Sequence, residues 1–148
     1  MLGKGAYGEV KLARFRQTED LYALKIIDKS VNNKNKNIDL MREVEIHSRL
    51  KHENIIRLLH HFEDKKRLYL ILEYAEKGSL FHLIRKKKYL KEAEAFYYFI
   101  QACAGIYFLH SNGLIHRDIK PENMLVGENH TLKICDFGWC AATDNNLP

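Results

Sequence analysis

The residues best suited to chemistry lie late in the chain, in the run His116-Arg117-Asp118-Ile119-Lys120-Pro121-Glu122-Asn123, and Asp136-Phe137-Gly138 follows after twelve residues. Phosphoryl transfer needs a carboxylate near the attacking hydroxyl and hard oxygen ligands that hold Mg²⁺ on the phosphates. Asp118 could supply the carboxylate, and Asn123 with Asp136 the ligands. Lys120 could neutralise the moving phosphoryl group. The alternative is a polar loop with a capping Asp and an incidental tripeptide.

A glycine pattern, Gly3-x-Gly5-x-x-Gly8-x-Val10, opens the chain. A dinucleotide-binding fold would place a helix after the glycines, but the residues that follow alternate as a strand does. A Walker A loop is excluded because no Gly-Lys-Ser/Thr occurs. The pattern therefore predicts a glycine loop within a β-hairpin, where backbone amides can lie over phosphates.

Lys25 lies in a β-rich run in which the period of two places it on one strand face with Ala23. Such a lysine could clamp an anion, although a lone strand lysine is usually only solvated. Glu43, on the helix predicted next, could fix Lys25 by an ion pair. Glu45 competes for that role, and both glutamates could simply solvate the helix.

Hydrophobic periodicity divides the chain into a β-rich first half and a helix-led second half, joined near residues 74–78. In the first half it predicts strands over 9–15 and 21–27, a polar loop over 32–37, a helix over 38–50, and strands over 55–60 and 67–74. In the second half it predicts a helix capped by Ser79 and ending near Arg85, a helix over 92–111, and strands over 124–126 and 131–135.

The long helix carries Phe96, Ile100, Cys103 and Tyr107 on one stripe. We predict that its aromatic residues, including Phe108, belong to the core. A basic run, Arg85-Lys86-Lys87-Lys88 with Lys91, suits a solvated helix end better than a nucleic-acid or membrane surface.

Composition excludes several classes of protein. The chain has 148 residues, 46% of them hydrophobic and only 2 of them prolines, so it is neither disordered nor collagen-like. Three cysteines without CxxC spacing argue against a disulfide framework and for a reducing compartment, the cytoplasm or nucleus. We expect neither a signal peptide nor a membrane-spanning helix. The net charge of +5 leaves anionic partners open.

Taken together, these motifs resemble the eukaryotic protein kinases from Gly3 through Gly138. Lys120, two residues after Asp118, is similar to the serine/threonine branch. The runs 42–46 and 69–75, and above all Asp136-Phe137-Gly138-Trp139, resemble the Aurora kinases, although Cys140 stands where those usually have Ser. The resemblance implies an α+β fold with a five-stranded N-lobe over 1–74, a hinge over 75–78, and an incomplete C-lobe over 79–148. It further implies a catalytic domain truncated after Asp136-Phe137-Gly138, within the activation segment.

The resemblance also implies ATP and Mg²⁺ as cofactors. Its catalytic residues would be Asp118, Lys120, Lys25 and Glu43, and its metal ligands Asn123 and Asp136. The nucleotide-binding residues would be Leu2, Gly3, Lys4, Gly5, Ala6, Tyr7, Gly8, Val10, Ala23, Lys25, Leu72, Glu73, Ala75, Glu122, Asn123, Leu125 and Asp136. Adenine would lie between Val10 and Ala23 on one side and Leu125 on the other.

The implied reaction moves the γ-phosphate of ATP to a serine or threonine hydroxyl of a protein, and Glu122 is similar to a position that selects an arginine upstream of the acceptor. The resemblance would place His47 in a side-chain stack with Leu58, His116 and Phe137. Because His47 is polar where many kinases are apolar, we expect an activator protein on the N-lobe. Nucleic acid and membrane are not expected partners, and a spindle or centrosome location follows only from the Aurora resemblance. The alternative function is a truncated nucleotide-binding or scaffold fragment without phosphotransfer activity.

Overall fold

A computed structural model describes residues 1–5, 8–29, 34–138 and 140–142. The chain separates into two compact units. The first contains Met1–Leu50 with Arg57–Tyr74, and the second contains Lys51–Ile56 with Ala75–Pro148. An antiparallel sheet dominates the first unit and helices dominate the second, which confirms the predicted α+β class.

The sheet of the first unit has five antiparallel strands in the spatial order β1-β2-β3-β5-β4. The strands are β1 (Gly3–Gly5), β2 (Gly8–Arg14), β3 (Leu21–Asp28), β4 (Leu58–Glu63) and β5 (Arg67–Glu73). The four strands predicted from the residue pattern all form, and the five-stranded sheet implied by the resemblance is confirmed. The bounds 55–60 predicted for β4 are wrong at both ends. The strand continues to Glu63, and Ile55 and Ile56 are buried in the second unit, where Ile55 forms a bridge to Ile134.

Helix α1 (Lys34–Arg49) packs on one face of this sheet. Val44 enters a buried cluster with Ile27, Leu58, Leu68 and Leu70. The helix begins four residues before the predicted Ile38, so residues 34–37 are helical and the predicted loop is wrong there. Lysine is a good helix former, and continuing an established helix costs little per residue. Residues 32 and 33 lie outside the described residues.

Two helices lead the second unit, α2 (Leu80–Lys87) and α3 (Glu92–Ser111). The Ser79 side chain accepts a hydrogen bond from the His82 amide and caps α2, as predicted. Short strands follow: β6 (Leu114–Ile115), β7 (Met124–Val126), β8 (Leu132–Ile134) and β9 (Ala141–Ala142), where β6 pairs with β9 and β7 with β8. The predicted bounds of α3 and β7 are confirmed, and those of β8 hold to within one residue at each end.

The predicted core stripe of α3 is wrong. Phe96 is 61% exposed and Tyr107 is 75% exposed, and the helix is instead buried along Tyr98, Ala102, Gly105 and Leu109. Apolar residues occur on all sides of this helix, so periodicity alone does not identify the packed face. The small size of Gly105 determines that face, because a Cβ at this position would lie 2.8 Å from the Ile134 Cδ1 atom.

Among the residues described, no helix is both long and apolar enough to cross a membrane.

Candidate active site

The glycine pattern forms the antiparallel strand pair β1 and β2. Gly3 pairs with Val10 and Gly5 pairs with Gly8, and the Leu2 amide donates to the Val10 carbonyl at 2.8 Å. The alternation after Gly8 thus continues as strand, as predicted, and not as helix. Ala6 and Tyr7, two of the candidate nucleotide-binding residues, lie outside the described residues.

Gly8 is fixed by a close backbone approach. Its φ of +148° lies in a region that L side chains rarely adopt, and an added Cβ would lie 1.9 Å from the Ile26 carbonyl oxygen on β3. By contrast, a Cβ on Gly3 would meet nothing within 4 Å in the described structure. Gly8 therefore lets the hairpin lie against β3, the strand that carries Lys25.

Strand register gives Lys25 its position. Val10 on β2 and Leu70 on β5 are its cross-strand partners, and directly opposite residues share a sheet face. Ala23, two residues earlier, lies on that same face and is buried. Because Leu70 belongs to the cluster packed against Val44 of α1, Lys25 lies on the helix-covered face.

Glu43 precedes Val44 on α1, and both Glu43 and Lys25 are half-buried. Glu45, the competing carboxylate, is exposed and forms an ion pair with Arg49, with an Nη2 to Oε1 distance of 2.5 Å. Glu45 is therefore engaged in an ion pair on the exposed surface of the helix. Pairing of Glu43 with Lys25 stays a prediction.

Asp118, Lys120 and Asn123 form a connected group in the second unit. Lys120 Nζ lies 2.7 Å from Asp118 Oδ2, and Asn123 Nδ2 donates to that oxygen and to the Asp118 carbonyl, each at 2.9 Å. Lys120 thereby holds the pKa of Asp118 below its ordinary value, and the Asn123 bond acts in the same direction. The Asp118 carboxylate stays ionised, and its pairing raises the pKa of Lys120.

The remaining Asp118 carboxylate oxygen, Oδ1, accepts no hydrogen bond from the described part of the chain. The hydrogen bond from the Asn123 side chain to the Asp118 backbone carbonyl restricts the backbone that carries this carboxylate. Asp118 therefore combines a held oxygen with a second oxygen that can accept a proton.

His116 links the two motifs through both ring nitrogens. Nδ1 lies 3.2 Å from the Asp118 amide, and Nε2 lies 2.9 Å from the Cys135 carbonyl oxygen. An amide can only donate and a carbonyl can only accept, so the ring carries its proton on Nε2 and is neutral. Burial lowers the pKa of His116, outweighing the opposing effect of the Cys135 bond.

Asp136 and Arg117 both have left-handed backbones, with φ of 67° and 65°. This conformation is uncommon outside glycine, and non-glycine examples cluster at functional sites. Phe137 is 2% exposed and meets the His116 ring edge-on at a centroid distance of 5.4 Å. The buried Phe137 and the left-handed backbone of Asp136 together determine the direction in which the Asp136 side chain projects.

Cys135 is a positioning residue that sequence reasoning missed. Its amide donates to the Asn123 carbonyl at 2.9 Å, while its carbonyl accepts from His116. The backbone of Cys135, which immediately precedes Asp136, is thus hydrogen-bonded to both Asn123 and His116. The sequence gives no signal for this beyond adjacency to Asp136, because the contacts use backbone atoms.

The candidate adenine residues fall in both units. Leu72 and Glu73 lie at the end of β5 in the first unit. The Glu73 amide donates to the Arg57 carbonyl at 3.0 Å. The backbone of Glu73 could therefore offer adenine only its carbonyl, as an acceptor. Ala75 is buried in the second unit. There Ser79 bridges Leu125, which brings residues 77–79 beside β7. Glu122 is exposed in the turn Pro121–Asn123.

The donor set suits Mg²⁺ bound together with phosphates. No cluster of three His, Cys, Asp or Glu side chains that could hold a metal alone occurs within the described ranges. Mg²⁺ in nucleotide sites commonly uses one or two protein oxygens plus substrate phosphates. Asn123 is 8% exposed, and its Oδ1 has no donor in the described part of the molecule, so an acceptor oxygen is left for a cation.

Comparison with known proteins gives consistent matches along the chain. The protein kinase domain family matches residues 1–147. The serine/threonine-protein kinase Aurora-2 of Arabidopsis thaliana is 45% identical over 145 residues, which cover 97% of this chain and 51% of the relative. An Aurora kinase of Yarrowia lipolytica is 44% identical, covering 98% of this chain and 39% of the relative.

Aurora kinase A-A of Xenopus laevis is 47% identical over 139 residues, covering 93% of this chain and 34% of the relative. The chain spans about half, or less, of the length of these curated relatives. Trp139, part of the motif that resembles them, lies outside the described residues.

Proposed function

This chain belongs to the protein kinase domain family, and we propose that it transfers the γ-phosphate of ATP to a serine or threonine hydroxyl of a protein, as an Aurora-like kinase. The observation that carries the proposal is the ionised Asp118 carboxylate, held through one oxygen by Lys120 and Asn123. A carboxylate held in this way can orient an attacking hydroxyl.

Asp118 would accept the proton of the acceptor hydroxyl as that oxygen forms its bond to the γ-phosphorus. The bond from the γ-phosphorus to the bridging oxygen then breaks, and ADP leaves with the electron pair. Lys120 neutralises charge that develops on the phosphoryl oxygens, so its ion pair with Asp118 would loosen during transfer. Little covalent chemistry is required of the protein.

Asn123 and Asp136 are the residues that would hold Mg²⁺. When bound, this ion supplies positive charge on the phosphates of ATP. Cys135 supports both ligands, because its backbone amide is bonded to Asn123 and it immediately precedes Asp136. A change that disturbs the Cys135 backbone would therefore disturb both ligands together.

In the first unit, Lys25 would bind phosphate oxygens and Glu43 would orient Lys25. The glycine hairpin of Gly3, Lys4, Gly5 and Gly8 would offer backbone amides to the phosphates. Leu2, Val10, Ala23, Leu72 and Leu125 would supply apolar contacts to adenine. The Glu73 carbonyl would accept a hydrogen bond from adenine, and the Ala75 backbone would form another. We propose residues 75–78 as the hinge of the family's fold.

Two partner sites extend the proposal. Glu122 is exposed one residue before Asn123, where it could pair with an arginine upstream of the acceptor. An activator could occupy a cavity of about 390 Å³ in the first unit, lined by Leu40 and Met41 of α1 and by Lys29, Glu63, Lys65, Lys66 and Leu68. Because Leu40 and Leu68 also belong to the core that holds Val44, an occupant could bias α1.

The described thiols Cys103, Cys135 and Cys140 form no disulfide, which supports placement in the cytoplasm or nucleus.

The experiment measures transfer from γ-labelled ATP to matched peptides that differ only in serine or tyrosine at the acceptor. We expect the serine peptide to be labelled and Asp118→Asn to lower the rate by about 10²–10⁴-fold, with ATP affinity retained. Glu128→Gln, which neutralises an exposed carboxylate in the same unit, should leave the rate unchanged. ATP binding without transfer by the unaltered protein would instead establish the scaffold.

A further inference from the structure

A surface at the end of α2 carries an unusual density of positive charge. Five cations, Arg85, Lys86, Lys87, Lys88 and Lys91, lie within seven residues, and all five are exposed. We call these residues, with Tyr89, the α2 basic patch. Lys87 is paired, with its Nζ atom 2.5 Å from Glu94 Oε1. In the described part of the chain, Arg85, Lys86, Lys88 and Lys91 have no carboxylate partner.

Cations at a helix C-terminus are favourable in themselves, because they face the negative end of the helix dipole. That effect accounts for the last turn of α2, where Arg85, Lys86 and Lys87 lie. It fades within the last turn, so it does not explain Lys88 and Lys91 beyond the helix.

Lys88 adopts a backbone conformation that lysine disfavours. Its φ of 71° and ψ of −36° place it near the strained γ-turn region at the C-cap of α2. Glycine is the usual residue where a helix ends with positive φ. The turn therefore has a lysine in a strained conformation, and this lysine lies in sequence between the cations of α2 and Lys91.

The scaffold beneath the patch is anchored. Ser79 caps the start of α2, and α2 packs on β7 and on the turn Pro121–Asn123. Leu80 is buried and Leu83 and Ile84 are half-buried, so the apolar side of the helix faces inward. Phe81 is the one exposed large apolar side chain of α2, and a single side chain does not make the apolar face that a bilayer surface would bind.

We infer that the α2 basic patch binds an acidic peptide segment of a protein partner. Tyr89, 70% exposed, is the one aromatic ring within the patch, whereas single-stranded nucleic acid is usually held by a series of stacked rings. One helical turn plus the following residues covers about 15 Å, which an extended segment of about five residues spans. Tyr89 can pack against the peptide between carboxylates that pair with the flanking cations.

Binding at this patch needs no nucleotide, so it is measured separately from phosphotransfer. The probe is a fluorescein-labelled hexaglutamate peptide, followed by anisotropy at rising salt. We expect the variant Lys86→Gln/Lys88→Gln/Lys91→Gln to bind at least tenfold more weakly and with a shallower salt dependence. The control Arg16→Gln/Lys51→Gln/Arg57→Gln removes the same charge from exposed positions elsewhere and should change affinity less than twofold.

Equal weakening in both triple variants would overturn the inference, since it would show that only net charge matters. Tighter patch-dependent binding of an oligo-dT strand or of phosphatidylserine vesicles would also overturn it in favour of another partner class. Lys88→Gly separates strain from binding: we expect a higher melting temperature together with weaker peptide binding. A higher melting temperature with unchanged binding would remove Lys88 from the site.

Discussion

The sheet of the first unit and the Asp118 loop of the second hold their candidate residues by different means. Lys25 owes its place to the register of β2, β3 and β5, in which backbone hydrogen bonds repeat along whole strands. Asp118 owes its place to individual side chains, because His116, Lys120 and Asn123 each contribute separate bonds. We therefore expect the first arrangement to tolerate side-chain changes but not a Cβ at a position of close backbone approach. We expect the second to be sensitive to the loss of single side chains.

Backbone conformation follows the same division. The strained positions beside candidate catalytic residues are Arg117 and Asp136, both in the second unit. The first unit has one described non-glycine residue of positive φ, Glu19, which lies in the turn between β2 and β3. Next to the strand that carries Lys25 the special position is a glycine, Gly8, whose φ costs it little. Beside their candidate residues, the second unit thus holds strain where Phe137 is packed, whereas the first unit avoids it by using glycine.

The largest effect on stability is expected at Gly8. Gly8→Ala would place a Cβ 1.9 Å from the Ile26 carbonyl oxygen, so the strands must shift. We expect the free energy of unfolding to fall by about 2–4 kcal/mol in urea titrations. The matched change Gly3→Ala meets open space and should stay within about 0.5 kcal/mol. Equal effects at the two glycines would show that close strand approach does not position the hairpin.

Asn123 tests the side-chain arrangement of the second unit. Asn123→Ala removes both hydrogen bonds to Asp118 from a buried position. We expect the free energy of unfolding to fall by about 1–3 kcal/mol and phosphotransfer to be lost. Asn112→Ala serves as the control, since it removes an exposed amide bonded to the Phe108 carbonyl. It should leave transfer unchanged. Full transfer by Asn123→Ala would mean that Asp118 needs no such support.

His116 predicts a pH dependence for the second unit. Burial lowers its pKa in the folded chain, so between that pKa and the ordinary value of about 6.5 only the unfolded chain binds the proton. The stability contribution of neutral His116 is therefore present above about pH 6.5 and declines as the pH falls below it. Melting temperatures from pH 7.5 to 5.0 should fall less for His116→Gln than for the unaltered protein. His110→Gln, an exposed control, should keep the original slope.

Sequence patterns predicted those parts of the fold that depend on local repetition. The hairpins, the bounds of α3 and the Ser79 cap follow from alternation, periodicity and capping chemistry. The packed face of α3 did not follow, because close approach at Gly105 decides it and no local pattern reports that distance. The predicted start of β4 is wrong for a similar reason. Ile55 and Ile56 are residue types typical of strands, but they are buried in the second unit.

The candidate site shows the same limit. Residue types identified Asp118, Lys120 and Asn123, and the structure brings these three side chains into contact. The backbone bonds of Cys135 and the positive φ of Asp136 have no signature in residue type. They depend on how the chain closes around Phe137, so they emerge only from the folded structure.

Titration of ATP with and without Mg²⁺, on the unaltered protein and on Asp136→Asn, tests the assigned nucleotide chemistry most directly. If Asp136 is a residue that would hold Mg²⁺ together with ATP, Mg²⁺ should tighten ATP binding by about tenfold or more, worth about 1.4 kcal/mol, and this gain should vanish in Asp136→Asn. Glu128→Gln should keep the gain. An equal gain from Mg²⁺ in Asp136→Asn and in the unaltered protein would contradict the account.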